Sequence, residues 1–103
     1  MKQFIIKYKF KNGTPEEWHR QVAEFIAALD TDPDLKGKIS YRVMKEKQGA
    51  GYYHLVTVTD DNIPNVLQTK DFFKPYTEAT KHTGGGEVEV VPLELVAATA
   101  FRA

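Results

Sequence analysis

The chain contains no cysteine, which excludes disulfides, thiolate zinc sites, iron–sulfur clusters and cysteine nucleophiles. Ser40 is its only serine, and no nucleophile-elbow pattern surrounds it, so a hydrolytic triad finds no support. Net charge is also missing. The 14 basic and 14 acidic side chains cancel, which leaves no field to favour phosphate backbones or anionic lipid. No apolar run approaches the ~20 residues of a membrane span. Met1-Lys2-Gln3-Phe4 leads into a strand pattern, not a signal peptide. A cytoplasmic setting is therefore expected, without membrane or nucleic acid as partner. The lysines at 2, 7, 9, 11, 36, 38 and 45 are interleaved with acids such as Glu46, Asp60 and Asp61, the pattern of a solvated surface. The aromatic-rich glycine motif of RNA-recognition modules is absent.

What is present is ordinary globular composition: 103 residues, 42% hydrophobic and 27% charged. That length suits one domain spanning residues 1–103. Its folded surface should be roughly 6,000 Å², against roughly 17,000 Å² unfolded, so a core is possible without staples.

Residues 3–10 alternate, with Phe4, Ile6, Tyr8 and Phe10 on one face and Gln3, Lys7 and Lys9 on the other. Period two predicts a half-buried strand. Asn12-Gly13 ends it, and Thr14-Pro15-Glu16-Glu17 supplies a capping hydroxyl, a proline at the first helical position and a glutamate three residues after the cap. Trp18, Val22, Phe25, Ile26 and Leu29 then form one helical apolar stripe. Residues 30–37, with Pro33 and Gly37, read as a loop. Residues 38–47 alternate again, Gln48-Gly49-Ala50-Gly51 turns the chain, and 52–59 are β-branched and aromatic. These two runs predict an antiparallel hairpin. Asp60-Asp61-Asn62 forms a capping cluster before a short helix from Ile63, and a second helical piece follows Asp71 with Phe72, Phe73, Tyr76, Ala79 and Thr80. Gly84-Gly85-Gly86 stops it, and residues 87–96 form the last strand, made an edge by Pro92. Residues 97–103 read as a tail or as an arm lying on a partner.

The order β-α-β-β-α-β is the split arrangement of the ferredoxin-like α+β fold: a four-stranded antiparallel sheet with two helices on one face. Its other face carries Ile5, Tyr53, Leu55, Val91 and Leu93, too apolar to leave wet although Lys7 and Lys9 interrupt it. Pairing two such faces predicts a homodimer. A monomer whose tail covers the patch is the alternative. Arg42, on the open face, either pairs with Glu87 or Glu89 across that interface or is solvated.

Candidate chemistry lies on the covered face. His54 sits mid-strand with Tyr52, Val56 and Val58. A buried imidazole there is either a general base or a packed histidine bonded to a carbonyl or to Tyr41 across the hairpin. Trp18 opens the helical stripe as core anchor, as cavity wall, or as both. His19 lies one residue off the stripe, at its solvent edge. Tyr41, Phe72, Phe73 and Tyr76 offer enough aromatic area to line a pocket for a planar ligand, and core packing explains them equally well. Glu78 and His82 are four apart on a helix, but no third ligand stands at a telling spacing, so no metal is expected. The glycine triplet precedes a strand, not a helix, and lacks phosphate-loop geometry.

The 3–10 strand, the TPEEWHRQVAEFIAAL helix, YYHLVTV with its acidic turn and FFKPYTEATKH before VEVV together resemble the dimeric α+β-barrel superfamily. Within it, the antibiotic-biosynthesis monooxygenase type is the most similar. The resemblance is one of pattern over the whole length, without a diagnostic motif. It implies a homodimeric α/β barrel with a small-molecule cavity between sheet and helices. It also implies cofactor-independent oxygenation of a small aromatic or quinol-like molecule. The same resemblance admits a non-catalytic binding or accessory protein, or haem binding or cleavage. The haem-cleaving members place an aromatic, usually tryptophan, about ten residues before a helix histidine; here Phe72 and His82 hold those places. Phenylalanine replaces the tryptophan, and Tyr8 stands near those enzymes' strand asparagine. The polyphenol oxygenases use an asparagine, a tryptophan and a tyrosine. Phe72, Phe73 and Tyr76 match the aromatic character, whereas Asn62 and Asn65 are as well explained by capping. The expected site is His54 for proton transfer, with Trp18, Tyr41, Phe72, Phe73, Tyr76 and His82 around a ligand and no cofactor.

Overall fold

The first strand, β1 (Lys2–Lys9), alternates as its sequence requires, with Tyr8 buried and its neighbour Lys9 exposed. The structure is a computed structural model and describes residues 1–101. α1 (Pro15–Thr31) begins where Thr14 Oγ1 accepts the Glu17 N–H at 3.3 Å. The reciprocal half of a capping box is not formed, because the Glu17 carboxylate turns to Arg20 and Gln21. Trp18, Val22, Phe25 and Leu29 are buried as one stripe. The helix runs on through residues 30 and 31, expected as loop, because the Asp32 N–H still reaches the Ala28 carbonyl at 3.0 Å. It ends at extended Asp32 before Pro33, which disfavours helical geometry in the residue preceding it. In the loop beyond, Leu35 is fully buried, a core position that its surroundings in sequence do not announce.

β2 (Ile39–Lys45) and β3 (Gly51–Val58) form the expected hairpin. Both helical pieces expected after β3 are present, and α2 (Ile63–Gln68) and α3 (Phe73–Thr83) are separate, so the layer on the sheet holds three helices. The Thr69 hydroxyl and N–H both close on the Val66 carbonyl, at 2.6 and 3.1 Å, and this local competition stops α2 after six residues. β4 is shorter than expected, Glu89–Leu93 rather than 87–96. Glu87 instead pairs with Lys11 at 2.6 Å, and residues 94–101 are exposed without regular structure. Of the expected tail, Arg102 and Ala103 lie outside the described residues.

All neighbouring strands are antiparallel, in the order β2-β3-β1-β4, and β4 with its Pro92 is an edge. The architecture is the ferredoxin-like α+β fold. Register places Tyr8, His54, Tyr41 and Val56 on the face that holds the core, and Ile5, Leu55 and Val91 in one row on the other. Gly84, after α3, is buried; a Cβ there would meet the Tyr8 Cβ at 3.1 Å, so glycine lets the end of α3 lie against β1. Among the described residues no helix is long and apolar enough to cross a membrane.

Candidate functional site

Three strands and two helices each contribute one side chain to a hydrogen-bonded chain of polar aromatic residues in the interior. Alternation turns Tyr8 of β1, Tyr41 of β2 and His54 of β3 inward, and the helical stripes bring Trp18 of α1 and Tyr76 of α3 over them. His54 is 0% exposed, yet both ring nitrogens are satisfied. Its Nε2 lies 2.7 Å from the Tyr8 hydroxyl and its Nδ1 2.7 Å from the Tyr41 hydroxyl. Trp18 Nε1 donates to the Tyr8 hydroxyl at 2.9 Å. At the far end, the Tyr76 hydroxyl lies 3.3 Å from that of Tyr41 and 3.4 Å from His54 Nδ1. Among the described residues no buried side-chain nitrogen or oxygen lacks a partner, as a low-dielectric interior demands.

Ring packing fixes this chain in place. Tyr76 stacks on Phe25 with centroids 3.7 Å apart and on Trp18 at 5.7 Å. Tyr8 stacks on Tyr52, whose hydroxyl meets Nε2 of exposed His19 at 2.7 Å. Desolvation dominates the electrostatics. It pulls the His54 pKa from 6.5 down to about 4, so the ring is neutral at physiological pH. Burial likewise raises the hydroxyls of Tyr8, Tyr41 and Tyr76 well above their ordinary value, which keeps them protonated.

Beside this chain lies a cavity of about 410 Å³ between the sheet and α2 and α3, within the range of small-molecule sites. Phe4, Ile6, Val56, Leu67 and Phe73 make most of its wall apolar, and Tyr41 and Tyr76 bring the buried chain to its surface. Lys81 is the one charged side chain among the described residues that line it. The Thr77 and Thr80 hydroxyls there donate to carbonyls of their own helix, at 2.9 Å each.

The structure thus brings together Tyr41, Tyr76, Phe73, His54 and Trp18, but not all of them at the cavity. His54 and Trp18 stand behind the tyrosines. Phe72 lines a second cleft with Gln21, Glu24 and Pro75, on the other side of Phe25 and Tyr76, which line both. His82 is exposed, and its backbone carbonyl accepts from Asn12 Nδ2 at 2.8 Å; it does not line the cavity. Asn62 precedes α2 and its side chain does not cap it. Among the described residues no group of three or more His, Cys, Asp or Glu could hold a metal. The expected set omits Tyr8 and Phe25. Their places on the covered faces of β1 and α1 are legible in sequence, but the pairing of Ile6 with His54, which sets the Tyr8 hydroxyl beside the imidazole, is not.

No family model and no curated protein matches the sequence. Solved structures do match its fold. SnoaB, a cofactor-independent oxygenase from Streptomyces nogalater, superposes with a TM-score of 0.76 over 97% of both chains at 16% identity. A candidate antibiotic biosynthesis monooxygenase from Caulobacter crescentus gives 0.76, at 15% identity, over 93% of this chain and 90% of that one. A dimeric ferredoxin-like protein of unknown function from Jannaschia gives 0.69, at 15% identity, over 92% of this chain and 100% of that one. The chain has the fold of the antibiotic-biosynthesis monooxygenases.

Proposed function

We propose that this protein is a cofactor-independent monooxygenase for a small electron-rich phenol or quinol-like molecule, bound in the cavity between the sheet and α2 and α3. The observation that carries this reading is the placement of two paired hydroxyls, Tyr41 and Tyr76, on the mostly apolar wall of a cavity of about 410 Å³. The apolar wall takes an aromatic ring, and the hydroxyls meet its oxygen. Fold neighbours that include a cofactor-independent oxygenase support it. A phenolate is electron-rich enough to reduce dioxygen itself, so the protein's part is to bind, orient and exclude water. Overall, a ring C–H becomes C=O with one atom of dioxygen. The other atom leaves as water with the two protons given up by the C–H and the phenolic O–H, and the substrate supplies all four electrons. His54 acts on the ligand through Tyr41 and Tyr76, since its ring does not line the cavity.

Oxygen uptake with 1,5-dihydroxynaphthalene tests the reading. We expect one dioxygen consumed per naphthoquinone formed, with labelled oxygen in the product, and a loss of about a hundredfold in His54→Gln. Uptake no faster than the uncatalysed rate across a panel of such phenols and hydroquinones removes it. Saturable quinone binding without uptake would establish the second reading, a non-catalytic binding protein. That reading is favoured by the absence of any carboxylate among the described residues lining the cavity.

The open sheet face supports a homodimer. Val91, Leu93 and Met44 lie on it, the last two 45% and 44% exposed. The chain exposes 7072 Å², against roughly 6,000 Å² expected for a folded monomer of this mass. Light scattering at micromolar concentration should report twice the 11.7 kDa chain mass; the chain mass alone removes the dimer.

A further inference from the structure

The hydrogen-bonded chain Trp18–Tyr8–His54–Tyr41–Tyr76 has a direction, and the direction follows from proton counting. The Trp18 indole can only donate, so the Tyr8 oxygen accepts at 2.9 Å. A neutral imidazole carries one proton and one bare nitrogen. If Nε2 held the proton, it would point at the same Tyr8 oxygen, 2.7 Å away. The Tyr8 hydroxyl proton would then be left without an acceptor in a side chain 5% exposed, a costly arrangement. With Nε2 bare, Tyr8 donates to it and the ring proton sits on Nδ1, facing the Tyr41 oxygen at 2.7 Å. Each link then has one donor and one acceptor. The chain holds one more donor proton than it has links, and the surplus falls on the Tyr41–Tyr76 pair. Whichever of these hydroxyls donates to the other across 3.3 Å, the remaining O–H has no acceptor within the chain, and both residues line the cavity, where the Thr80 side chain also reaches the Tyr76 hydroxyl.

We propose that Trp18, acting through Tyr8, holds His54 in its Nδ1–H tautomer, so that the Tyr41–Tyr76 pair presents a hydrogen-bond donor to an anionic oxygen of the ligand, a phenolate or enolate. Trp18 and Tyr8 are then positioning residues, and His54 serves as a donor rather than as the base. This rests on reading the cavity as the site for an electron-rich phenol, but it assigns the ligand's charge state and the residues that select it. The groups that bear on that oxygen are Tyr8 from β1, Tyr41 from β2, His54 from β3, and Tyr76 and Lys81 from α3. No carboxylate joins them among the described lining residues. An apolar cavity by itself would favour the neutral phenol, so the sign of a bound phenol's pKa shift reports whether the donor is there.

The test uses the whole chain and two readouts, neither of which needs turnover. The ¹⁵N shifts of His54 should show a protonated Nδ1 and a bare Nε2 at neutral pH. Bound 4-nitrophenol, titrated by its absorbance, should have a pKa about one unit below the free probe, meaning its anion binds about tenfold tighter than the phenol. Trp18→Phe should move the tautomer toward Nε2–H and abolish the probe's shift. Tyr76→Phe, which keeps the ring that stacks on Phe25, should leave the tautomer in place and weaken the shift without abolishing it, since the surplus proton then falls on Tyr41; replacing both tyrosines with phenylalanine should abolish the shift. Lys81→Gln should retain most of it. The proposal falls if Nε2 carries the proton, if Trp18→Phe leaves the tautomer unchanged, if 4-nitrophenol fails to bind or binds with a raised pKa, or if Lys81→Gln removes the whole shift. A failure of dioxygen uptake alone would sink the oxygenase and leave this donor chain standing.

Discussion

The two faces of one sheet are built from the same strands, one residue out of step, and they solve opposite problems. On the covered face, β3 buries Tyr52, His54, Val56 and Val58, and the polar atom of every buried ring is partnered. On the open face, Tyr53, Leu55 and Thr57 of the same strand are only half-buried, and the row Ile5–Leu55–Val91 carries no helix. The covered face shows that a polar interior is stable when its hydrogen bonds close on one another. The open face shows that apolar area without a covering layer directs a sheet toward a second surface.

The contrast can be broken most severely at its centre. His54→Ala should cost about 3–5 kcal/mol of folding free energy in urea titration, because it opens a cavity and strands the Tyr8 and Tyr41 hydroxyls. A cost under about 1 kcal/mol would mean that the chain is not closed. Acid should act nearly as strongly. His54 has a pKa of about 4 when folded against 6.5 when free, so only the unfolded chain takes up its proton as pH falls. Its contribution is intact above pH 6.5 and is lost as pH drops toward 4, on the order of 3 kcal/mol in all. Urea midpoints across that window should fall in the wild type and flatten in His54→Gln; equal slopes would place the ring in water.

A smaller, matched pair sharpens the comparison. Tyr8→Phe removes a hydroxyl whose partners are the Trp18 indole and His54 Nε2, and should cost about 1–3 kcal/mol. Tyr53→Phe, one position along β3 from His54, removes an exposed hydroxyl on the open face that donates to Glu46 at 2.8 Å, and should change stability by less than about 0.5 kcal/mol. Similar costs for the two would erase the distinction between the faces.

Much of this is legible in the sequence because it is local. Period two assigns Ile5, Leu55 and Val91 to one face and Tyr8, Tyr41 and His54 to the other, and Thr14 announces α1. The division into α2 and α3 is legible too, but the residue at which α2 stops is not, because it depends on which carbonyl the Thr69 hydroxyl captures. Leu35 is buried by what folds over it and not by its neighbours in the chain. At the site, the residue types are evident but their roles are not. Tyr41 and Tyr76 reach the cavity, Trp18 and His54 back them, and Phe72 and His82 turn elsewhere.

The sequence by itself determined the element order, the facing of each strand residue and the supply of aromatic hydroxyls, since each follows from backbone geometry and side-chain chemistry within a few residues. Only the tertiary structure decided which hydroxyl meets which nitrogen. That choice is set by the pairing of strands brought together from distant parts of the chain and by the helix packed across them. Hydrogen bonds tolerate only a few tenths of an ångström, so no local rule fixes them.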